Sequence, residues 1–192
     1  DEDEKFNVWQ YQNKYIMCET ATGLMIIDQH AAHERVLYEK ALLRLNSQSS
    51  FSQQLLLPIK VELTKVDCQL AKSLQEEIHN LGFALNFINN EIVEITGIPS
   101  DVKPGYENII FQELIDQFKE FEVSLNLEKR DNLAKSFSCR SAIKSGERLH
   151  LQEMINLIDS LFAAQMPYVC PHGRPTVMRL TTEELDKRFS RT

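Results

Sequence analysis

Long hydrophobic runs are missing: no apolar stretch approaches the roughly 20 residues that cross a bilayer as a helix, so no helical membrane span is expected. The basic opening of an export signal is missing too, because the chain begins Asp1-Glu2-Asp3-Glu4-Lys5. An intracellular protein is expected, and the acidic opening without Met reads as a linker leading into an excised domain. Cysteine is scarce. Four in 192 residues are too few for a secreted disulfide scaffold, and in a reducing compartment they read as core residues or metal ligands. Cys18, in an alternating run, and Cys68, at the head of a helical segment, read as packing. Positive charge is in deficit, at −7 net, whereas affinity for phosphates comes from Lys and Arg that release counterions. No G-x-x-x-x-G-K-S/T occurs, so no ATP site is visible. Neither H-E-x-x-H nor H-x-x-E-H is present, which leaves a metallopeptidase reading weak.

What is present is an ordinary globular composition, 43% hydrophobic and 26% charged, able to bury a sizeable core in one domain or two small lobes. The charge is unevenly spread. Between Glu128 and Arg148 six basic residues (Lys129, Arg130, Lys135, Arg140, Lys144 and Arg148) meet three acidic ones, so this stretch is +3 and the remainder −10. It is either a phosphate-facing patch or a solvated helix face.

Residues 6–12 and 14–19 read as short strands, and 23–28 as an apolar third strand that ends on Asp28. From 29 to about 45 helix formers dominate, with Val36, Leu37, Ala41 and Leu45 at helical spacing. A polar loop over 46–50 follows, then a strand over 54–63 that Pro58 demotes to an edge or marks with a bulge. A helix is expected over 67–81, closed by Gly82, then a hairpin of 83–87 and 91–95 around Asn89-Asn90. Helical patterns cover 106–121, 131–145 and 151–164, followed by a loop to Arg174, a strand over 175–180 and a short helix from Thr182. The expected class is α+β in two lobes: residues 1–65 with 149–192 carrying a mixed sheet and helices, and 66–148 inserted as an external lobe.

Three segments carry chemistry: Asp28-Gln29-His30-Ala31-Ala32-His33-Glu34 with Glu39, then Ser138-Cys139-Arg140, then Cys170-Pro171-His172-Gly173-Arg174-Pro175. His30 and Glu34, four apart on a helix, share a face, and Asp28 ends the strand that feeds it. Cys170 and His172, in a loop stiffened by two prolines, can present a thiolate and an imidazole together. Mixed N, O and S donors suit zinc or manganese. Each segment also has a plainer reading: a helix N-capped by Asp28, a buried small Cys139, and a tight turn at Cys170.

Together these segments resemble the endonuclease-type members of the MutL mismatch-repair family. The family pattern D-Q-H-A-x-x-E-x-x-x-x-E is matched by Asp28-Gln29-His30-Ala31, Glu34 and Glu39; its A-C-R appears as Ser138-Cys139-Arg140; C-P-H-G-R-P is complete; and its terminal F-x-R is Phe189-Ser190-Arg191. The resemblance implies a C-terminal dimerisation and endonuclease domain, with the first and last segments in a dimerisation lobe and the middle in a regulatory one. It puts Asp28, His30, Glu34, Cys139, Cys170 and His172 at or near a site for zinc or manganese ions, with Glu34 a candidate bridge between two of them. It also implies a homodimer, double-stranded DNA as substrate, and the mismatch-recognition protein MutS as a partner of the full-length protein. A cytoplasmic, nucleoid-associated place in a bacterium follows. Gln53-Gln54-Leu55-Leu56-Leu57-Pro58 resembles the Q-x-hydrophobic-hydrophobic-x-P peptide by which bacterial MutL proteins touch the replication sliding clamp, with Gln53, Leu56 and Pro58 as its key positions; an edge strand with a proline bulge is the other reading.

Phosphodiester cleavage needs an activated water, an in-line leaving oxygen and compensation of phosphoryl charge, which paired metals about 3.5–4 Å apart supply. Asp28, His30 and Glu34 are the expected catalytic residues, and Arg140, Lys144 and Arg174 the expected phosphate receivers. In isolation the domain is expected to bind DNA feebly and nick it weakly, since the family's ATPase is a separate domain. The rival is a non-catalytic dimerisation module with a closed structural zinc site. A zinc hydrolase of small molecules, which would need a deep pocket, ranks far behind.

Overall fold

A computed structural model describes residues 7–47, 52–125 and 128–191. They form two compact units, Asp1–Val36 with Ala142–Thr192, and Leu37–Ser141. The fold is α+β. Phe6 and residues 48–50 of the expected polar loop lie outside the described residues.

The first unit is built on a sheet of order β1-β2-β3-β7, from β1 (Val8–Tyr11), β2 (Tyr15–Thr20), β3 (Gly23–Asp28) and β7 (Val177–Thr181). Short turns force the first three strands to alternate in direction. In the first turn Gln12 and Asn13 take φ of 49° and 50°, and the Lys14 N–H bonds the Tyr11 carbonyl at 3.1 Å, the geometry that suits the twist of a hairpin. Gly23, at φ 148°, is required where β3 meets β7: a Cβ there would lie 2.3 Å from the Leu180 carbonyl oxygen. Every described strand pair is antiparallel. β3 and β7 pair antiparallel although the whole second unit lies between them in sequence.

Period-two burial puts Ile16, Cys18, Met25 and Ile27 on one face of this sheet, packed with Ala32 and Val36 of α1 (Gln29–Ser47) and with Met154, Leu157 and Leu161 of α6 (Leu151–Phe162). The opposite face is apolar as well. Trp9, Met17, Ile26 and Met178 stand in one row across all four strands, and Trp9 and Met178 are exposed.

The second unit holds a sheet of order β4-β6-β5, from β4 (Gln53–Glu62), β5 (Ala84–Phe87) and β6 (Ile92–Ile98). β4 is an edge strand whose register shifts between Gln54 and Ile59, around Pro58, which cannot donate to a ladder. Helices α2 (Lys65–Ser73), α3 (Gln75–Leu81), α4 (Glu107–Leu125) and α5 (Lys129–Ser141) complete it. Phe83 meets Phe111 and Phe137 at ring-centroid distances of 5.7 and 6.4 Å in its core. The single helix expected over 67–81 breaks at Leu74, which leaves helical geometry at φ −102°, ψ 8°. The Ser73 hydroxyl donates to the Leu70 carbonyl at 2.8 Å, a side-chain bond that competes with the helical ladder, and Leu74 is buried. Gly82 closes α3 at φ 110°, as expected.

The lobe limits read from the sequence were 65/66 and 148/149, whereas the compact units change over at Val36/Leu37 and Ser141/Ala142. β4 belongs with the second unit because it pairs with β6, and Ala41 and Leu45 of α1 pack into that unit's core. The helix expected to run to residue 145 stops at Ser141 because the next peptide groups bond to side chains of α1, described below. The chain ends in α7 (Thr182–Arg188), capped by the Thr181 hydroxyl. No helix among the described residues is long and apolar enough to cross a membrane.

Candidate metal centre

Residues 136 positions apart meet in the first unit: one donor atom each from Glu34, Cys170 and His172 lies within 4.8 Å of the others. Glu34 sits on α1 six residues after Asp28, on the face that turns inward, and its side chain is only 3% exposed. Its Oε1 accepts from His172 Nδ1 at 2.9 Å. Cys170 is buried, while the His172 imidazole is 24% exposed, so the cluster opens to solvent on one side.

The loop that carries the thiol and imidazole is a small closed hairpin. Cys170 N–H donates to the Arg174 carbonyl at 2.8 Å, Gly173 N–H to the Cys170 carbonyl at 2.9 Å, and Thr176 N–H to the Tyr168 carbonyl at 3.1 Å. Val169 bridges Pro175 below it. Gly173 adopts φ 80°, which a residue without Cβ takes at no steric cost. The His172 N–H points at Cys170 Sγ, 3.4 Å away. The base of the loop is tied twice to the start of α1: Asp28 N–H donates to the Thr176 carbonyl at 3.0 Å, and Arg35 Nε to the Val169 carbonyl at 2.6 Å.

Electrostatics divide the cluster into one charged and one neutral donor. Burial pushes the Glu34 carboxyl up, but hydrogen bonds from His172 and Cys170, and the nearby His172 and His30 rings, outweigh it and hold the group below the usual carboxylate range. The Cys170 thiol is pushed up, chiefly by burial and further by Glu34, with the backbone amides of Arg174 and His172 opposing. A buried carboxylate, a thiol and an imidazole form the donor set that zinc and similar divalent ions take, with three protein donors and room for a fourth ligand. A cation drawn there by Glu34 would have to displace the Cys170 proton.

Two further histidines of α1 grip the backbone of one residue, Ile143. His30 Nδ1 lies 2.8 Å from the Ile143 carbonyl, which only accepts, so that nitrogen carries a proton. His33 Nδ1 accepts from the Ile143 N–H at 3.0 Å and so holds its proton on Nε2. Gln29, 1% exposed, donates to the Asn13 carbonyl at 2.7 Å and the Glu147 carbonyl at 3.1 Å and accepts from Gln10 at 2.6 Å. These bonds capture the segment after α5 and end that helix.

The family model described as the MutL C terminal dimerisation domain matches residues 8–149. This chain belongs to that family. It is 50% identical over 184 residues to the DNA mismatch repair protein MutL of Prosthecochloris aestuarii, covering 96% of this chain and 30% of that protein. The MutL of Chlorobaculum tepidum is 51% identical over 185 residues, and that of Chlorobaculum parvum 50% over 190, each again with 30% of the relative's length covered. The chain thus spans about 30% of the length of the curated relatives it matches.

In this MutL-family chain the remaining expected residues fall as follows. Asp28 ends β3 and its Oδ1 accepts the Ala31 N–H at 2.9 Å, so it caps α1; Asp28 and His30 are not in the Glu34, Cys170 and His172 group. Cys139 is half-buried on α5, in the second unit. Arg140 of the same helix is engaged by Gln117 and lies 3.8 Å from Glu113, rather than standing open as a phosphate receiver would. Lys144 and Arg174 are exposed in the first unit. Gln53, Leu56 and Pro58 are all exposed on β4.

Gln29, His33 and Arg35 carry roles that the sequence patterns left unassigned. Arg35 could have been found: it stands four after buried Ala31, on the inward stripe of α1, where a charge needs a partner.

Proposed function

We propose that this domain is the homodimerising, divalent-metal-dependent endonuclease part of a DNA mismatch-repair MutL, cutting one strand of a duplex. The observation that carries the reading is the convergence of Glu34, Cys170 and His172 within 4.8 Å. Glu34 supplies the negative charge that holds a cation, Cys170 and His172 supply soft and borderline donors, and the exposed side of His172 leaves the approach open. Glu34, Cys170 and His172 would hold a divalent ion that, when bound, would lower the pKa of a water ligand and offset charge on a phosphoryl oxygen. Asp28 adds negative charge while capping the helix, and His30, bonded through Nδ1 to the Ile143 carbonyl, has Nε2 as its other ring nitrogen to offer toward the same function. Cys139 is assigned to the site on the resemblance of its motif alone. Lys144 and Arg174 receive phosphates; Arg140, held by Gln117 and Glu113, is the weaker member of that set.

The apolar row Trp9, Met17, Ile26 and Met178 supports self-association, since a contiguous apolar sheet face exposed on a monomer marks an interaction surface. The exposed Gln53, Leu56 and Pro58 support docking of the edge strand β4 on the sliding clamp. DNA, the clamp and MutS are partners proposed for the whole protein, in the cytoplasm. A structural zinc module would need a closed set of four donors, and the described cluster contains three.

Incubating the chain with supercoiled plasmid and manganese, magnesium or zinc, with and without chelator, tests the reading. Metal-dependent conversion to the open circle is expected. A protein that binds zinc stoichiometrically and never nicks would replace the catalytic reading with the structural one.

A further inference from the structure

We infer that Arg35 is a positioning residue that sets the loop donors of the candidate metal centre against Glu34; the inference rests on the metal-binding reading of that cluster. The observations concern connectivity. Glu34 and Arg35 are neighbours on α1, and Val169 and Cys170 are neighbours in the loop. The 2.6 Å bond from Arg35 Nε to the Val169 carbonyl therefore joins the two halves of the cluster one residue away from a donor on each side. Arg35 is only 6% exposed, so the bond is screened little by water.

The loop has internal bonds of its own, between Cys170 and Arg174, Cys170 and Gly173, and Val169 and Pro175. These fix its shape but not its distance from Glu34. Besides the Glu34–His172 bond between the donors themselves, the other described tie, Asp28 N–H to Thr176, holds the outgoing strand at the base, where Thr176 N–H also bonds the Tyr168 carbonyl. Arg35 holds the incoming one, which leads into Cys170. Without it the loop keeps its fold and is left to the Glu34–His172 bond and the Thr176 tie, so that Cys170 Sγ loses register with the Glu34 carboxylate. A rigid planar guanidinium fixes direction as well as distance, which a lysine ammonium on a flexible stem does not.

Cobalt titration of the full chain, read by thiolate-to-cobalt absorption and ligand-field bands, tests this on wild type, Arg35→Met, Arg35→Lys, Cys170→Ala and Leu161→Ala. Melting of the metal-free proteins is measured alongside. Arg35→Met is expected to bind cobalt about 10–100-fold more weakly than wild type, the range seen when a residue supporting a ligand is lost, with reduced thiolate absorption, and Arg35→Lys to fall between them. Leu161→Ala, which removes a buried side chain of the same unit's core, should lower the melting temperature and leave cobalt affinity unchanged. Wild-type affinity and spectrum in Arg35→Met overturn the inference, as does an equal loss in Leu161→Ala, which makes the effect one of general stability. If Arg35→Met does not fold, Arg35→Lys is judged by the same criteria. Absence of thiolate absorption in the wild type itself overturns the metal-centre reading instead, and with it this inference.

Discussion

Two cysteines show how differently the two compact units use buried polar groups. Cys68 in the second unit is 0% exposed and Cys170 in the first is 1% exposed, so burial alone does not separate them. Their surroundings do. Cys68 packs among apolar side chains, and its Sγ donates to a backbone carbonyl, that of Asn89, at 3.6 Å. Cys170 faces the Glu34 carboxylate and the His172 amide. The second unit buries polar groups that satisfy one another locally, as when Asn132 donates to the Phe118 carbonyl at 3.0 Å and Ser136 to Asn132 at 3.2 Å, around a triad of phenylalanines. In the first unit, buried Gln29, Glu34 and Arg35 bind residues far along the chain and bring the ends of the sequence to one site. Polar burial in the second unit serves stability, and in the first it serves placement.

That contrast breaks most sharply at Asp28. Asp28→Asn keeps an oxygen for the Ala31 amide and so still caps α1, yet it removes a charge proposed to serve the site; nicking should vanish with melting temperature and dimer unchanged. Full nicking by a folded Asp28→Asn protein would contradict the assignment. Zinc content sharpens the same contrast: Cys170→Ala or His172→Ala should lower it and Cys68→Ala should not, as measured by elemental analysis of purified proteins. In the second unit the large effect is on stability. Phe137→Ala should cost about 3–5 kcal/mol in denaturant unfolding, the usual range for a buried aromatic, without altering the zinc content of whatever remains folded. A charge in the apolar row, Ile26→Lys, should convert a dimer to monomer at tens of micromolar in sedimentation; retention of the dimer would place self-association elsewhere.

The smallest effect expected depends on pH. Burial pushes the Asp67 carboxyl up, but hydrogen bonds from Lys119 and Thr64 and the charge of Lys119 hold it below the ordinary range. Its contribution to stability is therefore present above the unfolded value and disappears as pH falls through the lowered folded value. Asp67→Asn should destabilise at neutral pH and become neutral in strong acid; a pH-independent effect would mean that packing, not charge, holds the contact.

Much of this was legible in the sequence. Alternation at Ile16, Cys18, Met25 and Ile27 marked the strands and their buried face, and Pro58 marked the edge and irregularity of β4. The cap at Asp28 was readable because it is local. The break at Leu74 and the early stop at Ser141 were not, because each is decided by side chains bonding backbone groups, the second by His30, His33 and Gln29 more than 100 residues away in the chain. Spacing placed Cys170 beside His172 and His30 beside Glu34, but no periodicity states that the loop lies against α1; the family pattern carried that expectation.

The central claim is that Glu34 holds a catalytic cation rather than a purely structural one. The most direct test is nicking of supercoiled plasmid in manganese by wild type and Glu34→Gln, which keeps the size of the side chain and removes its charge. The account predicts open-circle product with wild type and none with a folded, dimeric Glu34→Gln protein. Equal nicking by the two proteins would contradict it.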